Sequence, residues 1–243
     1  MKPFLLLATR AEDVPADEEY ALFLKYSGLS PDDLVRVRME AGPLGAISLD
    51  DWSGIFVGGG PFNASDPPEQ KSPVQRRVEA EFAALLDDVV ARDFPFLGAC
   101  YGVGTLGAHQ GALIDRTHRE PISVVDLSRT AAGADDPLLS GLPDRFTGFV
   151  GHKEAISRLP PSATLLVRGD ACPVQMFRVG RNVYATQFHP ELDLDGITTR
   201  IHAYADHGYF AADELDLTLA AVRRAPVAHT GRILRAFVER FAR

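Results

Sequence analysis

The chain has 243 residues, 46% of them hydrophobic and 24% charged, enough to bury a sizeable core in one large domain or two small ones. A net charge of −8, with basic residues scattered apart from pairs such as Arg76-Arg77 and Arg223-Arg224, argues against a nucleic-acid surface. Two cysteines exclude a disulfide scaffold, and no stretch approaches membrane-spanning length, so a reducing cytoplasm is the expected compartment.

The start, Met1-Lys2-Pro3-Phe4-Leu5-Leu6-Leu7-Ala8, is too short an apolar run for a secretory leader, and Arg10-Ala11-Glu12-Asp13 follows it. Phe4–Ala8 reads instead as a buried strand. Ala16–Tyr26 has helical spacing, with Tyr20, Phe23 and Leu24 on one side. Leu34–Val37 is a short strand. Gly54–Val57 is another, stopped by the turn Gly58-Gly59-Gly60-Pro61. A polar, proline-rich loop, Pro67 to Pro73, precedes the helix Pro73–Ala91, whose Val78, Phe82, Leu85, Leu86 and Val89 recur at helical intervals. Phe94–Ala99 is the next strand, and a helix runs from Tyr101 toward His109. This alternation implies a parallel sheet with helices on both faces.

From about Ile122 the pattern is β-rich, with strands at Ile122–Leu127, Phe146–Val150, Ala163–Val167, Val174–Val179 and Asn182–Phe188. Gly180-Arg181-Asn182 reads as a hairpin turn. The tail from Leu194 to Arg243 is helical, its apolar stripes running through Ile197, Ile201 and Tyr204, then Leu215, Leu219 and Val222, then Ile233, Phe237 and Phe241. His207-Gly208-Tyr209-Phe210 interrupts it as an aromatic loop.

Gly98-Ala99-Cys100-Tyr101-Gly102 lies between strand and helix. Small flanking residues permit a sharp turn that lifts the cysteine above the sheet. The helix that follows directs its N-terminal amides at the sulfur and favours thiolate. An isolated free cysteine is more often a buried structural residue; the elbow and its partner motif reverse that balance for Cys100. Cys172, at the entry to a strand with no base nearby in sequence, reads as a core or loop residue.

The partner motif is Phe188-His189-Pro190-Glu191. His189 ends a strand as a base, and Glu191 can turn back to hold its tautomer. Gly58-Gly59-Gly60-Pro61 lacks the Gly-Lys-Ser/Thr ending of a phosphate loop. It reads as a turn exposing the Gly60 N–H, which with the Tyr101 N–H makes a two-donor oxyanion hole. His202 and His207 lack an i, i+4 spacing, so no helical metal pair is expected. Most other histidines read as satisfied or solvent-facing.

The ordered set Gly-Gly-Gly-Pro, Gly-Ala-Cys-Tyr-Gly and Gln-Phe-His-Pro-Glu resembles the class I, triad-type glutamine amidotransferases, most nearly the stand-alone members related to the glutaminase part of GMP synthase. Asp136–Pro143, Gly151-His152-Lys153-Glu154 and Cys172–Arg178 sit where that family places comparable segments. The resemblance covers Phe4 to Glu191. It implies a domain over 1–191 with an open, mostly parallel Rossmann-like α/β sheet, and a C-terminal helical extension, 192–243, packed on it. It implies Cys100 as nucleophile, His189 as base and then acid, Glu191 as orienter, and Gly60 and Tyr101 as oxyanion donors. Gly59, Gly102, Gly104 and His152 fall at substrate-facing positions. No metal or cofactor is implied. The expected partners are a small γ-glutamyl substrate such as glutamine, and a separate synthase subunit or a second copy of the chain.

Two departures stand out. Family elbows usually continue Cys-x-Gly-x-Gln, where the Gln helps hold substrate, and this chain has Gly104 there. The segment often written Ser-His-Gly-Asp is here Gly151-His152-Lys153-Glu154. Both preserve the chemistry and alter recognition. The expected activity is hydrolysis of a γ-glutamyl amide through a cysteine thioester. The alternatives are a γ-glutamyl peptide or conjugate hydrolase, for which Gly104 opens the pocket, and a non-catalytic binding or regulatory protein on the same scaffold.

Overall fold

The computed structural model describes residues 1–204, 215–224 and 226–243; His207-Gly208-Tyr209-Phe210 lies outside them. The first elements are β1 (Phe4–Ala8), α1 (Asp13–Ser27), β2 (Leu34–Arg38), β3 (Gly54–Val57), α2 (Pro73–Ala91), β4 (Phe96–Ala99) and α3 (Tyr101–His109). The chain continues through β5 (Leu113–Asp115), β6 (Glu120–Arg129), the short α4 (Ala131–Ala134), β7 (Arg145–His152), β8 (Ala155–Arg158), β9 (Ala163–Gly169), β10 (Met176–Val179) and β11 (Val183–Thr186). Helices α5 (Leu194–Ala203), α6 (Leu215–Arg224) and α7 (Gly231–Phe241) complete the described elements.

One nine-stranded sheet has the order β2-β1-β3-β4-β11-β10-β9-β6-β7. Its first five strands are mutually parallel, and the rest pair antiparallel. The alternating N-terminal pattern thus builds the parallel half, and the β-rich stretch adds its antiparallel strands to the same sheet. Strands β5 and β8 form a separate two-stranded pair. Sequence periodicity missed both, because three or four residues are too few to establish a period.

Every residue of β1 is buried, which is why it reads as one apolar run. The two-residue period sorts its side chains. Leu5 and Leu7 pack with Val78, Phe82 and Leu86 of α2, whereas Phe4 and Leu6 pack with Phe23 of α1 and Phe237 of α7. Helices therefore cover both faces. Phe237 tilts against Phe56 with ring centroids 5.0 Å apart, tying the last helix to the centre of the sheet. A third cluster packs Ile197 and Ile201 of α5 and Val222 of α6 against Ile122 and Phe149. Helix α2 starts where its sequence says it should: the Ser72 hydroxyl accepts from the Gln75 N–H at 3.1 Å, and Pro73 occupies the first turn.

The strand order positions the site. β3, β4 and β11 are parallel neighbours, with Val57 opposite Gly98 and Ala99 opposite Thr186. The glycine turn, Cys100 and His189 follow these strands in the chain, so the sheet gathers three distant motifs at one carboxyl edge.

Candidate active site

Cys100 has φ 51° and ψ −90°, immediately before α3. Among the described residues only Asp93 is another non-glycine with positive φ. Such a conformation costs about 1–3 kcal/mol and persists only where its surroundings enforce it. Here the Cys100 N–H donates to the Thr186 carbonyl at 2.7 Å, and its carbonyl accepts from the Val103 N–H at 2.9 Å. Gly98 must be glycine, because a Cβ there would lie 2.7 Å from the Gly102 Cα. Tyr101 opens α3, its ring packed edge-on against Phe62 and Phe82.

The three glycines after β3 are required by what they touch. A Cβ on Gly58 would lie 2.3 Å from the Glu19 carboxylate, one on Gly59 would lie 2.5 Å from Arg10 and 2.9 Å from the His189 ring, and one on Gly60 would lie 2.1 Å from the Thr9 hydroxyl. The turn thus lets the side chains of Thr9, Arg10, Glu19 and His189 close on bare backbone. Gly60 borders both cavities that flank Cys100.

His189 shares one of those cavities with Cys100. Its N–H donates to the Phe149 carbonyl at 2.9 Å, pinning it to β7. Its Nδ1 is 2.8 Å from Glu191 Oε1 and 2.9 Å from Arg200 Nη1. Arg200 Nη2 donates to both Glu191 Oε1 and Glu19 Oε1 at 3.0 Å. Glu19 Oε1 also accepts from Arg10 Nε and from the Gly59 N–H, each at 3.1 Å. Arg10 Nη1 donates to the Tyr204 hydroxyl at 2.8 Å. Arg10, Glu19, His189, Glu191 and Arg200 are all at most 5% exposed. A buried group of two arginines and two glutamates is sustained only because each charge has its opposite in contact.

This environment sets the titrations. Burial pushes the Cys100 thiol up to about 12, against the pull of Arg10 and Arg200. Desolvation thus works against the thiolate that the helix terminus favours, while the two guanidinium groups work for it. Burial, followed by Arg200 and Arg10, holds His189 below the usual imidazole value despite Glu191. Burial alone would raise Glu191, but His189 and Arg200 outweigh it and keep the carboxyl ionised well below its usual range.

The second cavity at Cys100 includes Tyr101, Gly104, His152 and Glu154. Glu154 accepts from the Ala64 N–H at 2.7 Å and the Ser65 N–H at 2.8 Å, clamping the loop after the glycine turn. A Cβ on Gly104 would lie 3.0 Å from Glu154 Oε1 and 3.2 Å from Ala64 Cβ. A side chain there would crowd the Glu154 carboxylate and Ala64, while the bare Gly104 backbone borders this cavity and a neighbouring one lined by Phe82 and Lys71. His152 has both ring nitrogens engaged, Nδ1 with the Glu154 carbonyl and Nε2 with Glu120 Oε2, each at 2.8 Å. It braces the Glu154 segment. Cys172 is buried, and its thiol donates to the Val174 carbonyl at 3.5 Å. Its Sγ also lies within 4.8 Å of ligand atoms of Glu120 and His152, a proximity that chain separation hides.

The model of the glutamine amidotransferase class-I family matches residues 34–208. The chain belongs to that family. It is 28% identical over 186 residues to a subunit of the glutamine-hydrolyzing GMP synthase from Thermococcus kodakarensis, covering 76% of this chain and 83% of that one. The corresponding subunit from Thermoplasma acidophilum is 26% identical over 160 residues, 65% of this chain and 73% of the relative. The chain spans only 25% of the GMP synthase of Xylella fastidiosa, to which it is 28% identical over 145 residues. A solved glutamine amidotransferase from Thermotoga maritima superimposes with a TM-score of 0.78 at 22% identity, covering 99% of this chain and 98% of that one. That likeness extends the shared fold through the C-terminal helices of this class-I amidotransferase.

Arg10, Glu19 and Arg200 escaped the sequence reading, which places Glu154 only within a recognition segment. Glu19 and Arg200 did leave a signal. Glu19 lies on the stripe Ala16, Leu22 and Phe23 of α1, and Arg200 on the stripe Ile197 and Ile201 of α5. A charge at a core position of an amphipathic helix needs a buried partner.

Proposed function

We propose that this class-I amidotransferase hydrolyses a γ-glutamyl amide through a Cys100 thioester. The observation that supports it is the positive-φ Cys100 facing the same cavity as a His189 held at 2.8 Å by Glu191. With Nδ1–H turned to Glu191, Nε2 is left to accept the Cys100 proton. The sulfur attacks the amide carbon as that proton leaves, and the oxyanion is met by the backbone N–H groups of Gly60 and Tyr101. The tetrahedral species collapses with cleavage of the C–N bond, and His189 returns the proton to the departing amine. Water, deprotonated by His189, then attacks the thioester and releases glutamate and the Cys100 thiol. Ammonia freed from glutamine would serve a separate synthase partner, in keeping with the names of the relatives, or leave directly.

A second substrate class is favoured by the cavity on the His189 side. His189 protonates the leaving amine, so that cavity receives the amine, and Ile122, Leu192 and Ile197 give it an apolar wall. An amide nitrogen carrying a substituent, as in a γ-glutamyl peptide, suits such a wall better than ammonia does. The test is release of amine from glutamine and from γ-glutamyl dipeptides, with Cys100→Ala as control and mass-spectrometric detection of a +129 Da glutamyl adduct on Cys100 (roughly, from acyl transfer with loss of the amine). Absence of turnover and adduct across that panel would leave the scaffold as a binding protein.

A further inference from the structure

The Nδ1 atom of His189 faces two groups that demand opposite things of it. Glu191 Oε1, at 2.8 Å, needs a proton on Nδ1. Arg200 Nη1, at 2.9 Å, carries only donors and needs Nδ1 bare. One tautomer satisfies one neighbour at a time. With Nδ1 protonated, Nε2 is free to accept from Cys100. With Nδ1 accepting from Arg200, the ring proton sits on Nε2, and the base is blocked.

Arg200 is anchored through its other terminal nitrogen. Its Nη2 bridges Glu19 of α1 and Glu191, and Glu19 is itself held by Arg10, just past β1, and the Gly59 N–H. The charged or titratable groups around His189 are therefore Cys100 from the elbow, Arg10 from the end of β1, Glu19 from α1, Glu191 from its own loop, and Arg200 and Tyr204 from α5 and its end. Arg200 also lies beyond Glu191, where the recognised motifs stop.

We propose that Arg200 is a positioning residue of the Cys100 site: tethered by Glu19, its guanidinium holds Glu191 ionised and aimed at Nδ1, so that the Nδ1–H tautomer of His189 prevails, making helix α5 part of the catalytic unit. The inference rests on the thioester chemistry above. Arg200 also lines the cavity beside Cys100, but this role is exerted through Glu191 and His189. It acts by keeping Glu191 ionised and aimed, and by disfavouring a second positive charge on the imidazole until the thiol gives up its proton. Losing a cation next to His189 and Cys100 raises the pKa of both, so the acid limb of any reaction that needs them moves to higher pH.

The test compares wild type with Arg200→Gln and Arg200→Lys by two readouts over pH 5–9 (roughly the span in which imidazoles titrate). One is kcat and KM for a γ-glutamyl amide. The other is the rate of Cys100 alkylation by iodoacetamide, read by peptide mass so that Cys172 is separate. Arg200→Gln is expected to lower kcat about tenfold or more with KM unchanged, to move the acid limb of kcat upward, and to slow alkylation of Cys100 across the whole range. Arg200→Lys keeps a cation between Glu19 and Glu191, so its limb should stay in place. It cannot donate to all three acceptors, so kcat should recover only in part. Should Arg200→Gln not fold, the Lys variant carries the test through that partial loss of kcat at constant KM. Both variants matching wild type in kcat and limb position, or a raised KM with kcat untouched, overturns the proposal. If the wild type turns over no γ-glutamyl amide, the proposed function fails alone, and the alkylation profile still decides the place of Arg200.

Discussion

The two flanks of Cys100 are built in different ways. On the His189 side, charges from the end of β1, from α1 and from α5 converge on one carboxylate–imidazole pair, and each polar contact is braced by another. On the Gly104 side, Glu154 fixes the loop after the glycine turn through two N–H donors, and its segment is braced by His152 paired with Glu120. The first arrangement tolerates almost no change, because removing one charge strands its partner in a dry interior. The second can be altered one residue at a time. A protein built this way can hold its chemistry constant while its recognition surface drifts.

Mutations should break that contrast in a graded order. Cys100→Ala removes the nucleophile and is expected to abolish amine release, by on the order of 10⁴-fold or more, with an unchanged unfolding midpoint. Retained turnover would mean that neither flank serves Cys100. Glu191→Gln should reduce kcat by about 10³-fold, since an amide no longer enforces the Nδ1–H tautomer. It should also destabilise the fold by about 3 kcal/mol, because Arg200 loses a buried anion; urea titration and steady-state kinetics measure the two effects. A loss of activity with full stability would show that the charges on this flank are not mutually dependent.

The Gly104 flank should respond more gently. Gly104→Gln forces a side chain against Glu154 and Ala64 and is expected to cost about 1–3 kcal/mol and raise KM more than it lowers kcat. A gain in glutamine affinity without loss of stability would show that Glu154 yields its place readily. Acid unfolding sharpens the same comparison. His189 sits below its usual 6.5 and Glu191 below its usual 4.5, so in both cases the unfolded chain takes up protons first. Their stabilisation is present at neutral pH. It is lost as pH falls below 6.5 for the histidine and below 4.5 for the carboxylate, down through the lower folded values. Urea midpoints followed from pH 7 to pH 4 (about the range over which these groups titrate) should decline in the wild type and less steeply below pH 4.5 in Glu191→Gln. The smallest effect belongs to Glu154→Gln, which keeps one acceptor for the loop N–H groups. It should cost about 1 kcal/mol, with a severalfold rise in KM and kcat nearly constant.

Much of this molecule was legible beforehand where the information is local. Phe4–Ala8, Gly54–Val57 and Pro73–Ala91 have in the structure the bounds that their apolar patterns and flanking turn residues indicated. The elbow at Cys100 was readable because small residues, a cysteine and a following helix are neighbours in sequence. Strands β5 and β8 were not, being too short to show a period. Nor was the close approach of the Glu154 carboxylate to Gly104, since it joins residues 50 positions apart.

By itself, the sequence determined the alternating α/β pattern, the three motifs at strand ends and their likeness to class-I amidotransferases, because each is written in residues that are adjacent or periodic. Only the tertiary structure decided that Arg10, Glu19 and Arg200 close around His189 and Glu191, and that burial opposes ionisation of the Cys100 thiol while two guanidinium groups favour it. The reason is physical. Desolvation and charge pairing depend on which groups share a dry volume, and here that volume is enclosed by residues drawn from both ends of the chain.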